Sequence, residues 1–397
     1  MKQFYLSLGL ALLLTVTVRA GEVVLSPFCR VSVLTCDPGR EPYAIFGHSA
    51  IRVRNSLSDL DVVFNYGTFD FDDPHFYDKF LRGRLTYFLG ITSFKDFLPE
   101  YKDDHQRVRE QVLNMQPEEI QRLWDRLQEN LKEENRYYKY DFFYDNCSTR
   151  IREDIKWIYG DRLRTDDWKA GENRSFRQEI TSYFIYNSWT GFGIDLCLGL
   201  SADKRPSPDE RMFLPWNLYD ALAFSSIDHG QSVVSATVVY DFSNAGSVPT
   251  ALERHTPLVV CWILLATGLL IVALEAKYRR KWVFFDGLLF TLTGLVGVAL
   301  FCLWCFTDHS VTKWNQNLLW ASPLNLIAVW AGARLKRAYF FVYSIVLAGL
   351  LLWFLVAAYY FDMAVLPLVL LLLVRSIITL LQWPATFQHG RPVKYDR

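Results

Sequence analysis

Between residues 258 and 381 the chain is built largely of Leu, Val, Phe, Trp and Ala, gathered into apolar stretches at about 258–274, 283–306, 319–333, 339–358 and 364–381. Runs of this kind are too uniformly apolar for a water-soluble domain and read as membrane-crossing segments, which need roughly 20 apolar residues. The first and third are short or interrupted, so the third is expected to be tilted or partly re-entrant. Pro323 and Pro367 leave the count of five open by one in either direction. Residues 21 to about 255 carry most of the Asp, Glu, Lys and Arg, so the chain divides into a polar half and a lipid-soluble half. The net charge is zero, and the basic residues cluster beside apolar segments, which gives no reason to expect a nucleic-acid partner.

Charge placement sets an orientation. Lys277, Arg279, Arg280 and Lys281 follow the first stretch, Arg334, Lys336 and Arg337 the third, and Arg391, Lys394 and Arg397 the fifth. With five spans these clusters share one side, which the positive-inside rule makes cytoplasmic. The loops 307–318 and 359–363 then lie outside with the polar half. At the start, Met1-Lys2-Gln3, an apolar run from Phe4 to Val18 and Val18-Arg19-Ala20 read as a signal peptide ending at Ala20, with an uncleaved anchor as the alternative. The expected layout is a signal peptide over 1–20, an exported domain over 21–255, a membrane domain over 256–385 and a cytoplasmic tail over 386–397.

In the exported half, Val31 to Thr35, Ile51 to Arg54 and Val62 to Tyr66 read as strands. Residues 101–113 read as a helix. A second helix is expected from Pro117 to about Asn135, with Pro at the first turn and Glu118 and Glu119 at the positive end of the dipole. A third begins at Cys147, since Ile151, Ile155 and Ile158 repeat at helical spacing and Asp145 or Asn146 can cap the start. Cys147 would then sit in a first turn, where unpaired backbone N–H groups favour a thiolate and can hold an oxyanion. His48, beside Gly47 and Ser49 between apolar strands, is the matching candidate base. The alternative for Cys147 is a buried core thiol, against which stand its polar neighbours Asp145, Asn146, Ser148 and Thr149.

Cys29 and Cys36 are expected to form a disulfide in an oxidising compartment, Cys36 being also a competing nucleophile and Cys197 an alternative partner. Cys261, Cys302 and Cys305 read as packing residues. No cofactor is expected and the His spacing shows no compact metal site; zinc held by Cys147, His48 and a carboxylate is the competing reading of that pair. Asp70, Asp72, Asp73 and His75 read as a solvated acidic turn. In the membrane half, Arg375 must snorkel, pair or face a polar cavity, and with His309, Asn315 and Asn317 of the outer loop it is a candidate substrate rim.

Four segments together resemble the DUF4105 family, also called the Lnb N-terminal periplasmic domain. They are Leu34-Thr35-Cys36-Asp37-Pro38-Gly39, Phe46-Gly47-His48-Ser49-Ala50-Ile51-Arg52, Asn65-Tyr66-Gly67-Thr68-Phe69-Asp70-Phe71 and Tyr144-Asp145-Asn146-Cys147-Ser148-Thr149. The multispan half is similar to that of Bacteroidetes proteins described as lipoprotein N-acyltransferases of the Lnb type. The resemblance implies an α+β permuted papain-like fold, related to NlpC/P60 and LRAT-type enzymes, ahead of an all-α membrane domain. It also implies a catalytic His that precedes the catalytic Cys, which maps His48 to the base and Cys147 to the nucleophile. The residue that orients the imidazole is left open between Asn65, Tyr66 and Asp70, and Asn146 is expected to position the nucleophile loop or support the oxyanion.

The implied activity moves an acyl chain from a membrane phospholipid, through a Cys147 thioester, to the α-amino group of a diacylated lipoprotein. The expected partners are therefore phospholipids and diacylated lipoproteins, and the expected location is a bacterial inner membrane with the thiol in the periplasm. Two other readings are a membrane-anchored cysteine hydrolase of cell-wall peptide or amide bonds, and a non-enzymatic envelope scaffold.

Overall fold

The structure is a computed structural model that describes residues 24–39, 41, 44–165, 168–169, 171–184, 188–228, 230–243, 251–357 and 360–381. The expected signal peptide and cytoplasmic tail lie outside these residues. The N-terminal half is a mixed α/β domain, and the C-terminal half is helical.

The first half begins with β1 (Cys29–Cys36), β2 (His48–Asn55), β3 (Asp61–Thr68), α1 (Phe76–Leu81), β4 (Thr86–Ser93), α2 (Phe94–Asp103) and β5 (Arg107–Leu113). It continues through α3 (Pro117–Leu131), β6 (Tyr137–Lys139) and α4 (Cys147–Tyr159). After a small sheet of β7 (Leu163–Arg164), β8 (Ser226–Ile227) and β9 (Gln231–Ser232), β10 (Val234–Asp241) closes the edge of the main sheet. That sheet runs β10-β5-β1-β2-β3-β4-β6, with every pair antiparallel.

Both faces of its centre are covered. Cys29, Val31 and Val33 of β1 join a core with Ile151 and Ile155 of α4 and Leu123 of α3, whereas Leu34 and Cys36 join a second core with Phe94 and Phe97 of α2. This period-two sorting explains why β1 is apolar almost throughout. Between β7 and β8, α5 (Phe176–Thr181), α6 (Ser188–Cys197), α7 (Pro208–Arg211) and α8 (Pro215–Phe224) form a helical insertion, part of whose apolar surface packs with Phe143.

The structure changes two expectations here. Residues 101–113 are not one helix: α2 ends at Asp103, His105 takes a positive φ of 55°, and β5 pairs with both β1 and β10. Two-sided strand pairing outweighs the local helical pattern. Cys29 and Cys36 are free thiols at opposite ends of β1. Seven residue steps along the strand separate them by about 23 Å, and their opposite parity sends them to different cores, so no bridge can form.

In the C-terminal half, α9 (Ala251–Arg254) leads into α10 (Thr256–Tyr278), α11 (Val283–Phe306), α12 (Asn325–Ala328), α13 (Ala333–Ala357) and α14 (Val365–Leu381). Helices α10, α11 and α13 are long and apolar enough to cross a membrane, and α14 is a shorter apolar helix. Residues 319–333 do not form a continuous helix. Pro323 lacks a donor, and before Ala333, where α13 begins, only the four residues of α12 are α-helical. This stretch instead lies along α11 in a broken conformation: Ala321 approaches Gly297, Leu326 approaches Gly294 and Trp330 approaches Gly287.

Glycine allows that close backbone approach. The freed polar groups are met internally, as apolar surroundings require. Tyr343 donates its hydroxyl to Trp320 O, Asn325 Nδ2 donates to Thr293 Oγ1 at 3.1 Å, Tyr339 donates to Asn325 Oδ1 at 2.6 Å, and Lys336 donates to Val329 O at 2.8 Å.

Arg375 is not part of a substrate rim. It is fully buried, bound to Glu275 at 2.8 and 3.1 Å and to Asp286 at 2.6 and 2.9 Å. The C-terminal part of α10, the start of α11 and α14 are thereby clamped together, far along the helices from the α/β domain. Removing one member of a buried ion cluster strands the others, at about 3–5 kcal/mol. We therefore expect Arg375→Met to lower the thermal midpoint of the detergent-solubilised protein sharply. A triple variant adding Glu275→Gln and Asp286→Asn should recover much of the loss; equal midpoints for the single and triple variants would contradict the clamp.

Candidate active site at the junction of sheet and membrane helices

His48 opens β2, and Gly47 before it holds φ at +76°. A Cβ on Gly47 would collide with the carbonyl of Cys36, so glycine is required for the chain to enter the strand here. Cys147 is the first residue of α4. Of the two caps considered, the structure uses Asn146: its Oδ1 accepts from Thr149 N at 2.9 Å, while Thr149 Oγ1 accepts from Asn146 N at 2.7 Å. Asn146 Nδ2 donates to Phe142 O and Phe213 O, each at 2.8 Å. Both amide protons are therefore occupied, so Asn146 fixes the nucleophile turn and has no proton left for an oxyanion. The backbone N–H of Cys147, at the first helical position, has no carbonyl one turn back to meet it.

The structure brings His48 and Cys147 together on the wall of one cavity, where each is the leading neighbour that favours the other's charged form. Asn65 on β3 completes the group, its Oδ1 3.2 Å from His48 Nε2. With Nε2 directed to Asn65, Nδ1 is the ring nitrogen left for the thiol. Tyr66, one residue on, points to the opposite face of the sheet. Its hydroxyl donates to Asp154 at 2.9 Å and accepts from Asn130 at 2.9 Å, away from the imidazole. Asp70 stands in an exposed turn where its carboxylate accepts from Asp72 N at 2.9 Å. Of the three candidate orienters, only Asn65 contacts His48.

Electrostatics follow from this packing. Burial pushes the Cys147 thiol up, but the hydrogen bond and charge of His48, the Ser49 backbone and the Ser148 hydroxyl outweigh it, and the net direction is down. Burial pushes His48 down, yet its contact with Cys147 and its bond to Asn65 carry it above the ordinary imidazole range. These opposed shifts both move the pair toward the thiolate–imidazolium form. Ser49 and Ser148 also join β2 to α4 directly, with hydroxyls 3.1 Å apart in full burial. Cys36 titrates far above the thiol range because it is buried, which removes it as a competing nucleophile.

The sulfur faces a cavity of about 200 Å³ lined by Phe46, Phe69, Phe80, Tyr87, Phe142 and Phe213. This aromatic lining was not anticipated from sequence, because its members come from separate segments and carry no local pattern. Gly67, at φ +87°, lies beside the thiol, and a Cβ there would stand 3.8 Å from Cys147 Cβ. A second cavity of about 420 Å³, lined by Asp37, Asn65, Glu100, Tyr101 and Gln106, meets the first at His48, Gly47, Gly67 and Phe69. Among the described residues no group of three or more His, Cys, Asp or Glu side chains is placed to hold a metal ion.

The outer-loop candidates prove to be docking residues. His309 Nε2 lies 3.1 Å from Phe80 O and 3.2 Å from Leu81 O, and Asp308 N donates to Arg82 O at 2.8 Å. Asn315 and Asn317 both donate to Leu196 O, at 2.7 and 3.2 Å. Ser310 donates to Asp141 Oδ2 at 2.5 Å, while the other oxygen of Asp141 accepts from Phe143 N and Tyr144 N. The loop after α11 thus holds both the Phe80 wall and the turn that precedes Cys147. None of His309, Asn315 and Asn317 lines the cavity at the sulfur.

The alkylation rate of Cys147 should report the pair. It is expected to persist below the usual thiol range and to fall only as pH drops through the lowered thiol pKa. In His48→Ala, burial is no longer outweighed, so the profile should move above the ordinary thiol value and the rate at pH 7 should drop by about tenfold or more. An unshifted profile in that variant would show that His48 does not tune the sulfur.

Residues 27–174 match the Lnb N-terminal periplasmic domain, and residues 250–384 match the Lnb transmembrane domain. No curated protein and no solved structure matches the chain. With an α/β domain that carries the His48–Cys147 pair and a helical half with three membrane-length helices, each matched in its own segment, the chain belongs to the Lnb-type family of membrane-associated proteins.

Proposed function

We propose that this protein is a cysteine-dependent lipoprotein N-acyltransferase with a permuted papain-like layout, in which His48 is the base, Cys147 the nucleophile and Asn65 the imidazole orienter. One observation carries the reading: the thiol–imidazole pair opens on an aromatic cavity whose wall is hydrogen-bonded to the loop of a membrane-length helix. A soluble peptide substrate gives no reason for that join. An acyl chain does, since its donor and acceptor both reside in a bilayer.

In the first half-reaction the Cys147 proton passes to His48 and the thiolate attacks an ester carbonyl of a phospholipid. The tetrahedral oxyanion is met by the backbone N–H of Cys147 at the α4 N-terminus. Collapse breaks the ester C–O bond, His48 returns its proton to the departing glycerol oxygen, and a lysophospholipid leaves behind a Cys147 thioester. In the second, the neutral α-amino group of a diacylglyceryl-cysteine attacks the thioester carbonyl. The C–S bond breaks, His48 moves the surplus amine proton to the sulfur, and the product is the N-acylated amide with the thiol regenerated. A small aromatic cavity limits water at the thioester and so favours aminolysis over hydrolysis.

Mass spectrometry of lipoprotein N-termini from cells lacking the protein should show loss of the N-linked acyl chain alone. Unchanged lipoproteins together with altered muropeptides would instead indicate a cell-wall hydrolase. In purified protein mixed with phospholipid, a hydroxylamine-labile acyl adduct is expected on Cys147 and absent from Cys147→Ala. An adduct that persists on another residue would overturn the nucleophile assignment.

A further inference from the structure

Helix α1 has no buried residue, although it carries Phe76, Tyr77, Phe80 and Leu81. Tyr77 is 79% exposed, Leu81 61%, Phe80 46% and the preceding Phe71 58%. A contiguous apolar surface of this kind on a water-facing loop marks a contact with something apolar. Its rings are in series: Phe69 lies 5.7 Å from Phe76 and 4.6 Å from Phe71 between centroids, and Phe76 lies 6.1 Å from Phe80. Phe69 and Phe80 are also walls of the cavity at Cys147. The column therefore runs from the exposed tip to the sulfur.

The height of α1 is fixed by its hydrogen bonds. The membrane-length helix α11 ends at Phe306, and only three residues later His309 holds the carbonyls of Phe80 and Leu81. Phe306 and Trp314 are 67% and 65% exposed, and Trp304 packs on Trp314 at 4.9 Å. Exposed aromatics at a helix end mark the level of the lipid headgroups. Helix α1 thus lies at that level with its apolar side chains uncovered. Its cations are matched within the protein: Lys79 binds Asp73 at 2.5 Å, Arg82 binds Asp78 at 2.8 Å, and Arg84 lies 3.4 Å from Asp308. The surface is suited to the apolar margin of a bilayer, whereas a polyanion would find no uncompensated charge there.

From these observations we propose that the excursion between β3 and β4 is an interfacial anchor. Tyr77, Phe80 and Leu81 enter the outer boundary of a zwitterionic bilayer, and the aromatic column connects that bilayer to the Cys147 cavity. The passage of an acyl chain along the column rests on the transferase reading; insertion of α1 does not.

The test uses the full chain in phosphatidylcholine nanodiscs. A Leu81→Cys variant, with Cys147, Cys197, Cys302 and Cys305 replaced by Ala, carries an NBD label at residue 81. A matching Leu57→Cys variant places the label on another exposed leucine, in the β2–β3 turn at the far end of β2 from His48. The label at 81 is expected to emit further to the blue, to be quenched by lipids brominated on their acyl chains and to be protected from aqueous iodide, with little dependence on salt. Equal iodide quenching at 81 and 57 would overturn the proposal, as would protection from iodide without bromolipid quenching, which would indicate a protein contact. In the unlabelled enzyme, Tyr77→Ser with Leu81→Ser should slow thioester formation from vesicle phospholipid about tenfold relative to formation from a short-chain ester in solution. Bromolipid quenching without any Cys147 thioester from any lipid would leave the anchor standing and remove the transferase.

Discussion

The amide of Asn146 is the contact on which the site depends. One side chain closes the first turn of α4, and its two protons tie that turn to the chain before it at Phe142 and to the insertion at Phe213. Helix termini leave backbone groups that must find partners, and a short amide meets several of them at once. Cys147 thereby follows a residue with no freedom to move, so the sulfur and its N–H keep a fixed direction. Asn146 holds the geometry of this turn and nothing more, because none of its hydrogen-bonding capacity on nitrogen is left over.

The same need to satisfy polar groups shapes the membrane half, where no water is available to do it. Residues 319–333 break their helix at Pro323 yet stay among apolar helices, because Tyr339, Tyr343, Asn325 and Lys336 meet the exposed backbone and one another. The glycines of α11 allow this irregular strand of backbone to lie close enough for those bonds. At the other end, Arg375 is tolerated in full burial because two carboxylates share it. Apolar periodicity alone cannot distinguish such a broken segment from a short spanning helix.

That limit accounts for much of what the sequence leaves unread. The Cys147 helix and the strands at 31–35, 51–54 and 62–66 are legible because each obeys a local rule of period or capping. His48 is visible as an imidazole beside Gly47 and Asn65 as an amide on the following strand, and their pairing follows once β2 and β3 lie side by side. The partners of Arg375 and the docking of His309 are set by contacts between positions 89 to 229 apart, and the aromatic walls likewise come from separate segments. The Cys29–Cys36 expectation failed for a related reason. Proximity in sequence is distance in space when the intervening residues form a strand.

The seam between the two halves is made of short polar groups and backbone carbonyls, which permit little sliding. Asp308 and His309 hold the end of α1, Ser310 holds the turn before Cys147, Asn315 and Asn317 hold the end of α6, and Asp362 N donates to Asp195 beside them at 2.9 Å. Three residues separate the end of α11 from Ser310, so the length of that connection sets how high the sulfur stands above the last apolar turn. A flexible linker would leave the thiol to sample all heights and would give the loop no reason to touch the nucleophile turn. A bonded seam fixes the height of the cavity relative to the end of α11, so the proposed interfacial placement of α1 and the chemistry proposed for Cys147 depend on the same few residues after Phe306.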